Sequence, residues 1–228
     1  MNLLRLATAL FIAFTPAGAQ EVRKIAIRTL CLQPPPDVTE LWLPAAGTKD
    51  KPQTIPLYAS SLSAVTEASF KGGEAVLFSP ADKAQPFARG PLAASKRQLL
   101  FLVAAKDAGG PAFGIRAFDD DTDVFKPGSV RAINLAPESV RFTFAGTVLP
   151  AVAPDGHAIF PQAKSTDEFG IYPVVAEVKV AGETWTKVYS ASWKASDRRR
   201  EIVIVEFDAR FKQWPVKLMS DDVPWLAE

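Results

Sequence analysis

One strand is written twice in this chain. "IRTLCLQP" at 27–34 and "VRAINLAP" at 130–137 share an arginine in second place, alternating apolar positions and a closing proline, 103 positions apart. At the same displacement Lys96-Arg97-Gln98-Leu99-Leu100-Phe101-Leu102-Val103 lies over Arg199-Arg200-Glu201-Ile202-Val203-Ile204-Val205-Glu206. Further on, Ile115-Arg116-Ala117-Phe118 lies over Val216-Lys217-Leu218-Met219, and Asp120-Asp121 over Asp221-Asp222, at a displacement of 101. Collinear matches at nearly one offset point to a duplicated domain. A period of about 100 residues is too long for a solenoid repeat and suits one small sandwich domain.

Local signals agree on strand. Apolar runs rich in Val, Ile, Phe and Trp recur between Pro, Gly and Asp clusters at 22–32, 41–43, 54–58, 74–78, 98–104 and 113–118. In the second half they recur at 129–135, 140–144, 157–160, 173–180, 184–193, 201–207 and 214–219. Nineteen prolines spread along the chain suit strand ends and turns and oppose helix interiors. "VAEVKVAGETWTKVY" reads as a hairpin turning at Ala181-Gly182-Glu183. Only "ASSLSAVTEAS", 59–69, offers a short helical turn. The expected fold is all-β: two tandem immunoglobulin-like antiparallel β-sandwich domains, at 20–123 and 124–228, after a cleaved signal peptide at 1–19.

The signal peptide is read from "MNLLRLATALFIAFTPAGAQ". Arg5 precedes an apolar run from Leu6 to Phe14, Pro16 breaks it, and Ala17-Gly18-Ala19 is a small-x-small cleavage pattern. The apolar run falls short of the roughly 20 residues that span a bilayer, so no membrane span is expected. Export places the mature chain in the periplasm or outside the cell.

Removing residues 1–19 removes Arg5 alone among the charged residues and leaves 25 basic against 25 acidic side chains. A neutral mature chain gives no reason to expect nucleic acid or an anionic membrane as a partner. Cys31 is the only cysteine, so no internal disulfide can form, and its place in an alternating strand suits a small buried side chain.

"VRAINLAPESVRFTFAG" resembles the opening of small, exported, uncharacterised bacterial β-sandwich modules whose first strand reads V-R-x-x-N-x-x-P and turns at a glycine. The likeness covers some twenty residues of the second half and the matching strand of the first, where Cys31 replaces the asparagine. It implies a sandwich fold and export, and no activity.

Candidate chemistry is sparse. His157, the sole histidine, excludes a zinc site built from two or three imidazoles, and its setting in "PDGHAIFP" suits an exposed turn. "DDDTD" places Asp119, Asp121 and Asp123 as the start of a calcium loop, but Val124 and Val130 stand where such a loop needs glycine and glutamate. The competing reading is a solvated turn between domains. Arg28 and Arg131, at matching places, are read either as clasps on their own domain's acidic pair, Asp120-Asp121 or Asp221-Asp222, or as ordinary exposed charge. In "WTKVYSASW" an extended strand would point Trp185, Tyr189 and Trp193 to one face, as a sugar-stacking platform or as core.

The leading functional reading is an exported noncatalytic β-sandwich protein with a binding, assembly or structural role at the cell envelope, its partner an envelope protein or a glycan, with no cofactor. One alternative is a carbohydrate-binding module using the aromatic face. Another is a carboxylate-based hydrolase, for which Glu177, Glu201 and Glu206 are the strand-borne acids.

Overall fold

The computed structural model describes residues 21–48, 50–105, 109–180 and 184–222. The signal peptide expected at 1–19 and the hairpin turn expected at Ala181-Gly182-Glu183 lie outside the described residues. The described chain is all-β. Its first half contributes β1 (Val22–Cys31), β2 (Glu40–Leu43), β3 (Gln53–Pro56), β4 (Thr66–Lys71), β5 (Glu74–Phe78), β6 (Pro86–Pro91), β7 (Arg97–Ala104) and β8 (Phe113–Asp119). Its second half contributes β9 (Ser129–Asn134), β10 (Val140–Phe144), β11 (Thr147–Val148), β12 (His157–Pro161), β13 (Ile171–Lys179), β14 (Trp185–Lys194), β15 (Arg199–Val205) and β16 (Val216–Asp222). Among the described residues no helix is long and apolar enough to cross a membrane.

The first-half strands form one eight-stranded ladder in the order β3-β2-β5-β6-β8-β7-β1-β4. Its middle is held by only two parallel register pairs, Ala88 with Phe113 and Arg89 with Gly114. The sheet curls there, so that Leu41, Ile55 and Leu77 from one side join Ile27, Phe70 and Leu100 from the other in a single apolar core. Gly90 permits the close crossing, because a Cβ at that position would sit 2.2 Å from the Ile115 carbonyl oxygen.

The second half is two four-stranded sheets, β11-β10-β13-β14 and β12-β9-β15-β16. They enclose a core of Val130, Phe142, Phe144, Tyr172, Val174 and Val203, among others. A third apolar cluster joins the halves: Leu30, Leu99, Phe101 and Phe118 pack with Phe125, Ile133, Ile202 and Ile204. Strands β7, β9 and β15 are therefore covered on both faces, which explains why "QLLFLV" and "EIVIV" are continuous apolar runs without a polar alternate.

Matching positions keep matching neighbours. Ile27 lies opposite Gln98 in the β1–β7 pair, and Val130 opposite Glu201 in the β9–β15 pair, each residue 103 positions from its counterpart. Leu99 faces Phe118, and Ile202 faces Met219.

Two expectations are corrected. The ladders are not purely antiparallel, since β1–β7, β9–β15 and β6–β8 run parallel; between β1 and β7, and between β9 and β15, intervening strands make the long crossovers that helices would otherwise make. The helical turn expected at 59–69 is absent. Ser63 Oγ there accepts from Thr29 N and donates to Ala64 O, an alternative to helical bonding. Thr66–Lys71 instead forms β4, with Ala68 and Phe70 facing the core.

Candidate functional site

The face that buries Leu30 on β1 also carries Arg28, and the face that buries Ile202 and Ile204 on β15 carries Arg200. Period-two alternation thus delivers two arginines into the seam between the halves. Asp120, just past β8, and Asp221, near the end of β16, arrive from opposite halves. All four are at most 3% exposed.

They form a closed lattice. Arg28 Nε and Nη2 donate to Asp120 Oδ2 and Oδ1 at 2.9 and 3.1 Å, while its Nη1 and Nη2 donate to Asp221 Oδ1 and Oδ2 at 2.6 and 2.9 Å. Arg200 Nε donates to Asp221 Oδ2 at 2.9 Å and its Nη2 to Asp120 Oδ1 at 2.9 Å. Its Nη1 donates to the carbonyls of Asp120 and Phe125 at 3.1 and 3.0 Å. Each arginine meets both aspartates, and the four charges cancel. Burial works against ionisation of Arg28, but its hydrogen bond to Asp221 and the attraction of both carboxylates outweigh that cost and raise its pKa. Burial likewise opposes the Asp221 carboxylate, yet Arg28 and Arg200 hold it below the usual carboxylate range.

Arg131 lies beside the lattice and has a different bond pattern. Its guanidinium lies 4.4 Å from the Phe125 ring centre and 5.2 Å from that of Phe118, and Nη2 donates to the Asp119 carbonyl. Nε and Nη1 are buried with no hydrogen-bond partner. Burial lowers its pKa to about 10, against the attraction of Asp120 and with the repulsion of Arg200. The clasp expected from sequence is therefore half right. Arg28 does reach Asp120, but Asp221 is taken by Arg28 and Arg200 and is not bound by Arg131. Asp121 and Asp222 stay outside the lattice. The missed signal was Arg200, which shares alternation with Ile202 and Ile204.

The aspartate run leads from β8 into a turn at 122–124. Asp119 Oδ1 accepts from the Asp121 backbone N–H at 3.0 Å, Asp120 is sequestered, and Asp121 lies 3.7 Å from Arg97. Among the described residues no group of three His, Cys, Asp or Glu side chains could hold a metal, and Asp119, Asp121 and Asp123 flank or lie in the turn that follows β8, the second of the two readings drawn from the sequence.

The aromatic stripe is divided by a β-bulge. Ala176 pairs with Tyr189 and Glu177 with Lys187, which leaves Val188 as an extra residue and reverses the alternation beyond it. Trp193 is buried among Phe144 and Tyr172, and its Nε1 donates to Tyr189 Oη at 3.1 Å. Trp185 falls on the opposite face, where the Arg141 guanidinium covers its ring at 4.3 Å while bonding Glu177 at 2.7 Å. Trp185, Tyr189 and Trp193 thus do not share one platform.

The remaining candidates are dispersed. Glu177 is paired with Arg141, and Glu206 with Lys217 at 2.7 Å. Glu201 faces the second core, with Oε1 accepting from Ser220 Oγ, Oε2 unpartnered and a pKa raised by burial. His157 is exposed on β12 with its ring against the edge of Phe118; burial, then Arg131 and Arg116, lowers its pKa. Cys31 is buried and free. Asn134, the asparagine of the V-R-x-x-N pattern, binds the carbonyls of Glu138, Val152 and Ala153 and the N–H of Ala136, so it pins the loops at its end of the sandwich.

A cleft of about 530 Å³ opens beside the lattice, lined by Arg28, Ser60, Ser63, Ser220, Asp221 and Asp222 among others. Comparison with protein-family models and with curated proteins finds no match for the chain.

Proposed function

We propose that the chain is an exported, noncatalytic protein of two tandem immunoglobulin-like sandwich modules, arisen by duplication and joined rigidly to serve binding or assembly at the cell envelope. The observation that carries this reading is the buried lattice of Arg28, Asp120, Arg200 and Asp221, backed by the apolar cluster between the halves. Charges that an enzyme would expose to substrate are here paired to one another and withdrawn from solvent. What the lattice supplies is a fixed relation between two sets of loops, the property wanted in a spacer or receptor. The shared pairing registers support descent of both halves from one ancestral module.

The test begins with fractionation of cells expressing the whole chain with a C-terminal tag. A periplasmic or extracellular product beginning near Gln20 is expected. A full-length cytosolic product would contradict export. The product is then screened against envelope proteins and glycans in parallel with glycosidase and esterase substrates, and turnover of any substrate abolished by a carboxylate substitution would replace this reading with the hydrolase.

A further inference from the structure

The connection between β15 and β16 is built as a rigid finger. At its base the Phe207 and Trp214 rings lie 5.2 Å apart, and Trp214 Nε1 donates to Glu138 Oε2 at 2.8 Å. Above them Asp208 and Gln213 exchange both backbone hydrogen bonds, at 2.8 and 3.3 Å. Asp208 Oδ1 then accepts from the N–H groups of Arg210 and Phe211 at 2.9 and 3.2 Å, and Lys212 closes the turn with a φ of 52°. This turn holds Phe211 out from the body, 60% exposed, with the Arg210 guanidinium 5.0 Å from its ring centre.

The charges around the tip are sorted by sign. The acids turn inward: Glu206 pairs with Lys217, Asp208 caps the turn, and Glu138 holds Trp214. The cations turn outward, and among the described residues neither Arg210 nor Lys212 has an ion-pair partner. An exposed aromatic ring between two outward cations fits a phosphate-bearing headgroup layer, where the ring enters the acyl boundary and the cations meet the phosphates. A tip of six residues is too small for a protein interface, which needs about 800 Å² from each partner. A bilayer surface has no such requirement.

We propose that Arg210-Phe211-Lys212 is a contact with anionic lipid surfaces, weak and reversible in a single copy. The experiment is cosedimentation of the purified chain with vesicles of phosphatidylglycerol and phosphatidylcholine, compared with phosphatidylcholine alone. All variants carry the same N-terminal segment, so its own affinity for lipid cancels. Binding to the anionic vesicles is expected to fall about tenfold in Phe211→Ser and about fivefold for each of Arg210→Gln and Lys212→Gln. Each variant should keep the wild-type circular dichroism spectrum. Phe211→Trp should retain binding, and its fluorescence should be quenched by brominated lipid. Equal sedimentation of wild type and all tip variants, no preference for the anionic vesicles, or an unquenched Phe211→Trp would each overturn the proposal. So would complete competition by inorganic phosphate or by nucleic acid at matched charge, which would make the tip a free-anion or nucleic-acid contact.

Discussion

Arg28 in the first strand and Asp221 in the last are joined by two buried hydrogen bonds of 2.6 and 2.9 Å across 193 positions of sequence. The same guanidinium grips Asp120, so a single side chain ties the ends of both halves together. Removing one member strands the rest as uncompensated buried charge. Arg28→Met and Asp221→Leu are each expected to lose about 3–5 kcal/mol of stability, measured by urea unfolding. The double variant should lose less than the sum of the two. Additive losses would mean that the pair is not coupled.

Arg131 is expected to behave in the opposite way. It is buried with two unpartnered nitrogens and no bound carboxylate, so Arg131→Met removes a desolvation cost that outweighs the loss of the guanidinium's contacts with the Phe118 and Phe125 rings. Thermal unfolding should show an unchanged or higher midpoint. A loss as large as that of Arg28→Met would place Arg131 inside the ionic lattice.

How much of this was legible in the sequence depends on the residue. Continuous runs such as "EIVIV" announced strands, and the doubled arginine, the doubled run and the doubled Asp-Asp pair announced the repeated pairing. Strands β4 and β6 were hidden, the first behind a serine-rich lead and the second within "PFARGP", whose prolines and glycine oppose strand propensity and are tolerated because the sheet curls at Gly90. The bulge at Val188 carries no local sequence mark, which is why Trp185 was expected beside Tyr189. The lattice could be read only halfway, because its partners come from opposite halves and no local spacing relates Arg28 to Asp221.

The split stripe has its own consequence. Trp193→Ala should cost about 3–5 kcal/mol, since it empties a packed site among Phe144 and Tyr172. Trp185→Ala should cost under about 1 kcal/mol, because its contact is an Arg141 side chain at the surface. Similar losses for both would restore a common face.

Two buried carboxyl groups should respond to pH with opposite sign. Asp221 has a folded pKa below its unfolded value, so its stabilisation is complete above the unfolded pKa of about 3.9 and is lost as pH falls through the folded value. Glu201 has a folded pKa raised first of all by burial, so its protonated form favours folding below about 4.3 and the advantage is lost as pH rises through the folded value. Glu201→Gln should therefore be more stable than wild type at pH 7 and nearly equal to it at pH 4, by urea midpoints. A variant less stable at pH 7 would show that ionised Glu201 is stabilising.

The joining of the halves is tested most directly by scanning calorimetry of the intact chain. One transition is expected, with equal calorimetric and van't Hoff enthalpies, and it should separate into two when Arg28→Met and Asp120→Leu open the seam. Two independent transitions in the wild-type chain would contradict a single welded unit.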